Sequence, residues 1–184
     1  TYRDELRAAT GSDQTPAELT LTFVSELVEE QLSVAAIHRV YRGITIEALE
    51  AALATNFELS PSGPISPATL TEMDARGCLC LVRPEGGGAW LTPRPGVLDG
   101  VRSLDGAWLE HTLAGTDADV SYQHGVHELH QLLTTDPSIT AAVLIRPVSV
   151  AEIERTAREG LLMPPKSTFF TPKLRTGLVI RELD

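Results

Sequence analysis

The apolar run AAVLI at residues 141–145 is followed by Arg146 and Pro147, then by Ser149 and, three residues later, Glu152. Uninterrupted apolar character over so short a run reads as a strand covered on both faces. Ser149 with Glu152 is a capping box, so a helix starts at Val150, lines one face with Val150, Ile153 and Ala157, and ends at Gly160. A buried strand passed straight to a helix calls for a layered arrangement, α/β or mixed α+β, with helices alternating with the strands of a mixed β-sheet.

The same alternation runs along the chain. Residues 1–10 read as a helix, and 18–27 and 32–41 as strands separated by an acidic turn at Glu29 and Glu30. Ile46, Leu49 and Leu53 recur at helical spacing, and FELSP (57–61) is extended. Ser66 before Pro67 marks the start of a helix over 67–76. CLCLVRP (78–84) and GAWLTPR (88–94) flank the Gly86–Gly88 turn as a hairpin. The last third runs strand, helix, Pro-rich loop over 163–173, and a final strand over 177–183. Residues 1–184 form one domain in this reading, or one large piece of a longer protein.

Composition limits the functional classes. With 42% hydrophobic and 22% charged residues the chain buries a core. Its apolar runs fall far short of the ~18 residues of a membrane span, and a cytoplasmic protein with no membrane partner is expected. A net charge of −10 repels a phosphate backbone, so general nucleic-acid binding is disfavoured. Cys78 and Cys80 read as small buried residues sharing one face of a strand, because no second Cys pair completes a metal site.

The positive charge is more informative than the total. The chain has thirteen arginines and only two lysines, Lys166 and Lys173, both inside MPPKSTFFTPK (163–173). No Asp or Glu stands between Glu159 and Glu182, where Lys166, Lys173, Arg175 and Arg181 fall. Pro164 and Pro165 stiffen the approach to Lys166, and Ser167 and Thr168 add hydroxyls and backbone N–H groups beside it. A weaker cationic segment holds His38, Arg39 and Arg42, and Arg146 ends its own strand. Two readings stand: solvated loop charges, or a site where Arg39, Arg146, Lys166 and Lys173 converge with His38, Ser167, Thr168 and His124 on a phosphate or carboxylate. Arginine does not replace a compact ammonium in a tight loop, and this favours a role for the lysines. The loop lacks the Gly-rich pattern of a P-loop.

His124, His127 and His130 drift by about 60° per step on a helix and do not close on one metal. His124 alone stands at the helix start, placed to meet a ligand or a cap. Asp117 and Asp119 could hold a cation, though an acidic turn before a strand is the commoner reading, and no nucleophile motif occurs. No cofactor site is evident in the chain itself.

IHRVYRG (37–43), SYQHGV (121–126), AAVLIRPVSVAEI (141–153) and LLMPPKSTFFTPK with TGLVIREL (161–173 and 176–183) stand in an order and at separations that resemble the C-terminal half of a bacterial and archaeal family, domain of unknown function one thousand and fifteen. The likeness runs over essentially the whole chain, and Met-Pro-Pro-Lys-Ser-Thr followed by Pro-Lys is its most specific block. The resemblance implies a longer protein with a Gly-His-His-Arg-Tyr stretch just before a segment like Tyr2-Arg3-Asp4, and hence an N-terminal part against which this one packs. That stretch is similar to the signature of ParB- and sulfiredoxin-like nucleotide-binding folds, some relatives of which phosphorylate free serine. The implied function is a small-molecule phosphotransferase of the serine-kinase kind, using ATP and Mg²⁺ in the full-length protein. The alternatives are a non-catalytic module that binds an anionic metabolite or nucleotide, and a purely structural half.

Overall fold

The computed structural model describes residues 1–20, 22, 24, 26, 33–66, 68–171, 173 and 177. Helix α1 (Tyr2–Thr10) ends on Gly11 and is followed by a single 3-10 turn, Pro16–Glu18. Then come β1 (Ser33–Ala35), β2 (Ile37–Arg42), α2 (Ile46–Leu53), β3 (Phe57–Ser62), α3 (Thr69–Arg76), β4 (Leu79–Val82) and β5 (Gly88–Pro93). The remaining elements are α4 (Asp105–Leu113), β6 (Asp119–His124), α5 (Val126–Thr135), β7 (Ala141–Leu144), α6 (Val150–Arg158) and β8 (Phe169–Thr171).

Six strands form one sheet in the order β3-β5-β4-β7-β2-β6, and every ladder in it is antiparallel. The fold is therefore of the mixed α and β class, on its α+β side. Successive side chains of a strand face opposite ways, and two cores result. Tyr41, Val143, Leu79, Leu81 and Leu91 pack with Leu49 and Leu53 of α2 and Leu109 of α4. On the other face Val40, Ala142, Leu144, Cys80 and Val82 pack with Met73 of α3 and Leu129 and Leu133 of α5. Because helices cover both faces, β7 is apolar at every position, and Ala141–Leu144 are all fully buried.

Local chemistry fixes the helix ends. Thr45 Oγ1 accepts from the N–H of Ala48 at 3.2 Å to start α2, and Ser149 Oγ accepts from the N–H of Glu152 at 3.2 Å to start α6. Ser66 Oγ accepts from the N–H of Ala68 ahead of α3; Pro67 lies outside the described residues. Within α6 the buried positions are Val150 and Thr156. Ala157, expected on the apolar face, is exposed, because Thr156 turns inward to accept a hydrogen bond from Arg102 while donating to the Glu152 carbonyl.

Three further expectations change. The strand expected over 32–41 is two strands in different sheets, broken at Ala36. The loop expected over 163–173 contains β8, which pairs antiparallel with β1 through Ser33↔Thr171, Val34↔Phe170 and Ala35↔Phe169. Helix α4 has no counterpart in the sequence pattern, since Gly106 in its first turn lowers helix propensity. The strand expected over 18–27 is not found where the chain is described: Glu18 ends the 3-10 turn, and residues 19, 20, 22, 24 and 26 are in no strand. Its other residues, the turn at Glu29 and Glu30, and the final strand expected over 177–183, apart from Gly177, lie outside the described residues. Among the described residues no helix is long and apolar enough to cross a membrane.

Candidate functional site

Arg39 sits in the middle of β2, opposite Tyr122 of β6 on one side and Val143 of β7 on the other. It is 2% exposed, and its side chain emerges on the face covered by α4. Gly106 makes this possible: a Cβ there would stand 2.6 Å from Arg39 Nη2. The guanidinium lies over the Tyr122 ring, 5.1 Å from its centroid. Nη1 donates to the carbonyls of Ile37 (2.5 Å) and Lys166 (3.2 Å), and Nη2 donates to that of Pro165 (3.4 Å). Among the described residues no carboxylate pairs with it. Burial pulls its pKa down, partly offset by neighbouring tyrosines and by Glu110 and Asp105. A buried cation met only by carbonyls and an aromatic face is under-compensated, and an anion would be favoured beside it.

Those carbonyls belong to the Pro-Pro-Lys turn. Pro165 occupies its second position and Lys166 its third, where Lys166 has φ 56. This is the left-handed region that turns with a preset second-position proline demand, and that glycine normally fills. Ser167 is buried and its Oγ donates to the Pro164 carbonyl at 2.7 Å, closing the turn. Lys166 is exposed at the tip, with Thr168 half-buried behind it.

From the turn the chain enters β8, where Phe169 stacks on His124 with ring centroids 4.5 Å apart and planes at 27°. Lys173 Nζ lies 4.5 Å from the centroid of the same ring. His124 ends β6 immediately before Gly125, whose φ of 79 lets the chain swing into α5. His38, one residue from Arg39, points to the opposite face of the sheet, and its Nδ1 accepts from the N–H of Ile145 at 3.3 Å. Burial first, then the charges of Arg39 and His124, hold its pKa down at about 4, so it is neutral at pH 7.

The structure thus gathers Arg39, the Lys166–Thr168 turn, His124 and Lys173 around β8, with His38 beneath. Arg146 is not in this group. Its side chain is committed to Asp105, with Nη2 to Oδ1 at 2.6 Å and Nε to Oδ2 at 3.0 Å, and its backbone N–H also donates to Oδ2 at 2.8 Å. The first turn of α4 supplies that carboxylate, 41 residues away in the chain, so the pairing depends on a helix that residue spacing does not signal. Tyr122, Phe169 and Gly106 are also parts of the arrangement that residue type alone did not disclose. Arg175 and Arg181 lie outside the described residues.

No family model and no curated protein matches the chain. Among solved structures it is similar to a free serine kinase in complex with AMP, with a TM-score of 0.53 and 12% identity over 81% of this chain and 58% of that one. It is similar to a variant of free serine kinase in complex with ADP, with a TM-score of 0.52 and 13% identity over 82% and 58%. A conserved hypothetical protein from Pyrococcus furiosus gives a TM-score of 0.50 and 14% identity over 81% and 60%. The chain spans less than two thirds of the length of each, and at these identities what it shares with them is the fold.

Proposed function

We propose that the chain is the nucleotide-binding part of a small-molecule phosphotransferase, belonging to domain of unknown function one thousand and fifteen and acting in the cytoplasm within a longer protein. The observation that carries the proposal is the Lys166 turn: an exposed ammonium held in a left-handed conformation, on a turn whose carbonyls are bonded from below by a buried arginine. Lys166 and Lys173 supply mobile point charges for phosphate oxygens, and Ser167 and Thr168 orient the turn that presents them. Arg39 positions the turn and adds positive potential behind it. The fold similarity to free serine kinases bound to AMP and ADP supports a nucleotide here and a free hydroxy amino acid such as serine as acceptor. The buried free thiols Cys78 and Cys80 suit a reducing compartment.

Mg²⁺ would accompany the nucleotide and neutralise its phosphates. No ligand for it is assigned, because among the described residues no three His, Cys, Asp or Glu side chains stand together to hold a metal. The share of the described residues is to bind and orient phosphate.

The test is calorimetric titration of AMP, ADP and ATP into the full protein and its Lys166→Ala and Lys173→Ala variants, followed by phosphate transfer from ATP to serine. Each variant should lose roughly tenfold or more in affinity. Nucleotide binding without transfer to any hydroxy compound would reduce the proposal to a binding module. Absence of nucleotide binding would end it.

A further inference from the structure

Three N–H groups of Arg39 are engaged by carbonyls. A guanidinium carries five, so two remain without a partner among the described residues. On the side away from the Pro-Pro-Lys turn, a cavity of about 190 Å³ opens between α4 and the edge strand β6, with Arg39 in its lining. Its walls are Leu109, Leu113, Ala118 and Val120, with Tyr41 and Tyr122 beside Arg39. Tyr41 stays protonated, since burial pushes its hydroxyl up. Exposed Glu110 completes the lining.

We propose that this cavity binds a small monocarboxylate with a short apolar body, at a site separate from the nucleotide's. The carboxylate meets the free N–H groups of Arg39, which no described acidic residue neutralises. The apolar body lies on Leu109, Leu113 and Val120. Size sets the upper limit, because the cavity is well below the ~300 Å³ at which pockets for larger ligands begin. Charge sets the other limit. Glu110 repels a second negative group, so dicarboxylates and phosphate esters are disfavoured, and an α-amino group on the ligand is tolerated or favoured. The shared chemistry admits two sources, a free short-chain acid and an apolar amino acid.

The experiment titrates isovalerate, valine, serine, succinate and inorganic phosphate separately into the full protein, followed by NMR. Isovalerate or valine should bind best, and the better of the two identifies the source. Ala118→Phe fills the cavity and should weaken that ligand roughly tenfold or more, while AMP affinity and melting temperature stay as in wild type. Glu110→Gln, on the exposed rim, should narrow the gap between succinate and isovalerate, and should weaken valine if its amino group meets Glu110. The proposal is overturned if neither isovalerate nor valine binds, if serine or phosphate displaces the bound acid from this cavity and occupies it more tightly than isovalerate and valine do, or if Ala118→Phe leaves the affinity unchanged. If instead AMP binding fails while isovalerate binds, only the nucleotide reading falls, so the two proposals are separable.

Discussion

Gly106 of α4 and Arg39 of β2 are in such close approach that a single added Cβ would stand 2.6 Å from Arg39 Nη2. Gly106→Ala gains up to ~1 kcal/mol of helix propensity but forces a buried guanidinium off its three carbonyls. We expect a net loss of about 1–2 kcal/mol by urea denaturation. In an Arg39→Met background the same change should be neutral or stabilising, because the group it strikes is gone. An equal cost in both backgrounds would locate the constraint elsewhere.

Lys166→Gly separates conformation from chemistry. Glycine takes φ 56 without strain, so stability should stay the same or rise by up to ~1 kcal/mol. AMP affinity should fall as far as in Lys166→Ala, and Lys166→Arg should fall nearly as far, since a planar fork does not replace a compact ammonium. Equal affinity across wild type and the three variants would remove Lys166 from the site.

His38 gives a pH signature. Its folded pKa, about 4, is below the ordinary 6.5, so the unfolded chain takes up the proton first. Its stabilising contribution is therefore full above pH 6.5, declines as pH falls toward 4, and is level below that. The loss across this window is about 3 kcal/mol. His38→Gln keeps an acceptor for the Ile145 N–H, and its stability should lack this component. Urea midpoints of wild type and variant, compared from pH 7 to pH 4, would converge; parallel curves would contradict the assignment.

Cys78 and Cys80 are free and buried. Burial raises both thiols, Cys80 to about 11, so little thiolate exists at neutral pH. Native protein should react slowly with a disulfide reagent, and both thiols should titrate promptly once unfolded in urea. Fast native labelling of either would place it at the surface.

The elements with strong local signals could be read from the sequence: β7 from its unbroken apolar run, α6 from Ser149 and Glu152, and the β4–β5 hairpin from its glycines. What stayed hidden depends on pairing. Arg39 and Tyr122 are neighbours only because β2 and β6 are in register, and Arg146 loses its place in the site only because α4 brings Asp105 to it. Gly106 masked α4 for the same reason that it matters, since the absent side chain that weakens the helix signal is the space Arg39 occupies. Phe169–Thr171 carries no strand signal of its own, because its partner, Ser33–Ala35, is distant in the chain and reads as continuous with β2 across Ala36.

The separation at Ala36 leaves β1 and β8 as a ladder of three residue pairs outside the six-stranded sheet. Such a ladder can unzip without opening either core, carrying the lysine turn away from Arg39 and back as one sub-global unit. The two halves of the site thus differ in kind. Arg39 is fixed in the most buried part of the molecule, whereas Lys166 stands on a turn that leads into this three-pair ladder. A phosphate held by the turn, as proposed, would favour the paired ladder, so part of its binding energy would be spent on ordering, and amide protection in β1 and β8 would become the local reporter of occupancy.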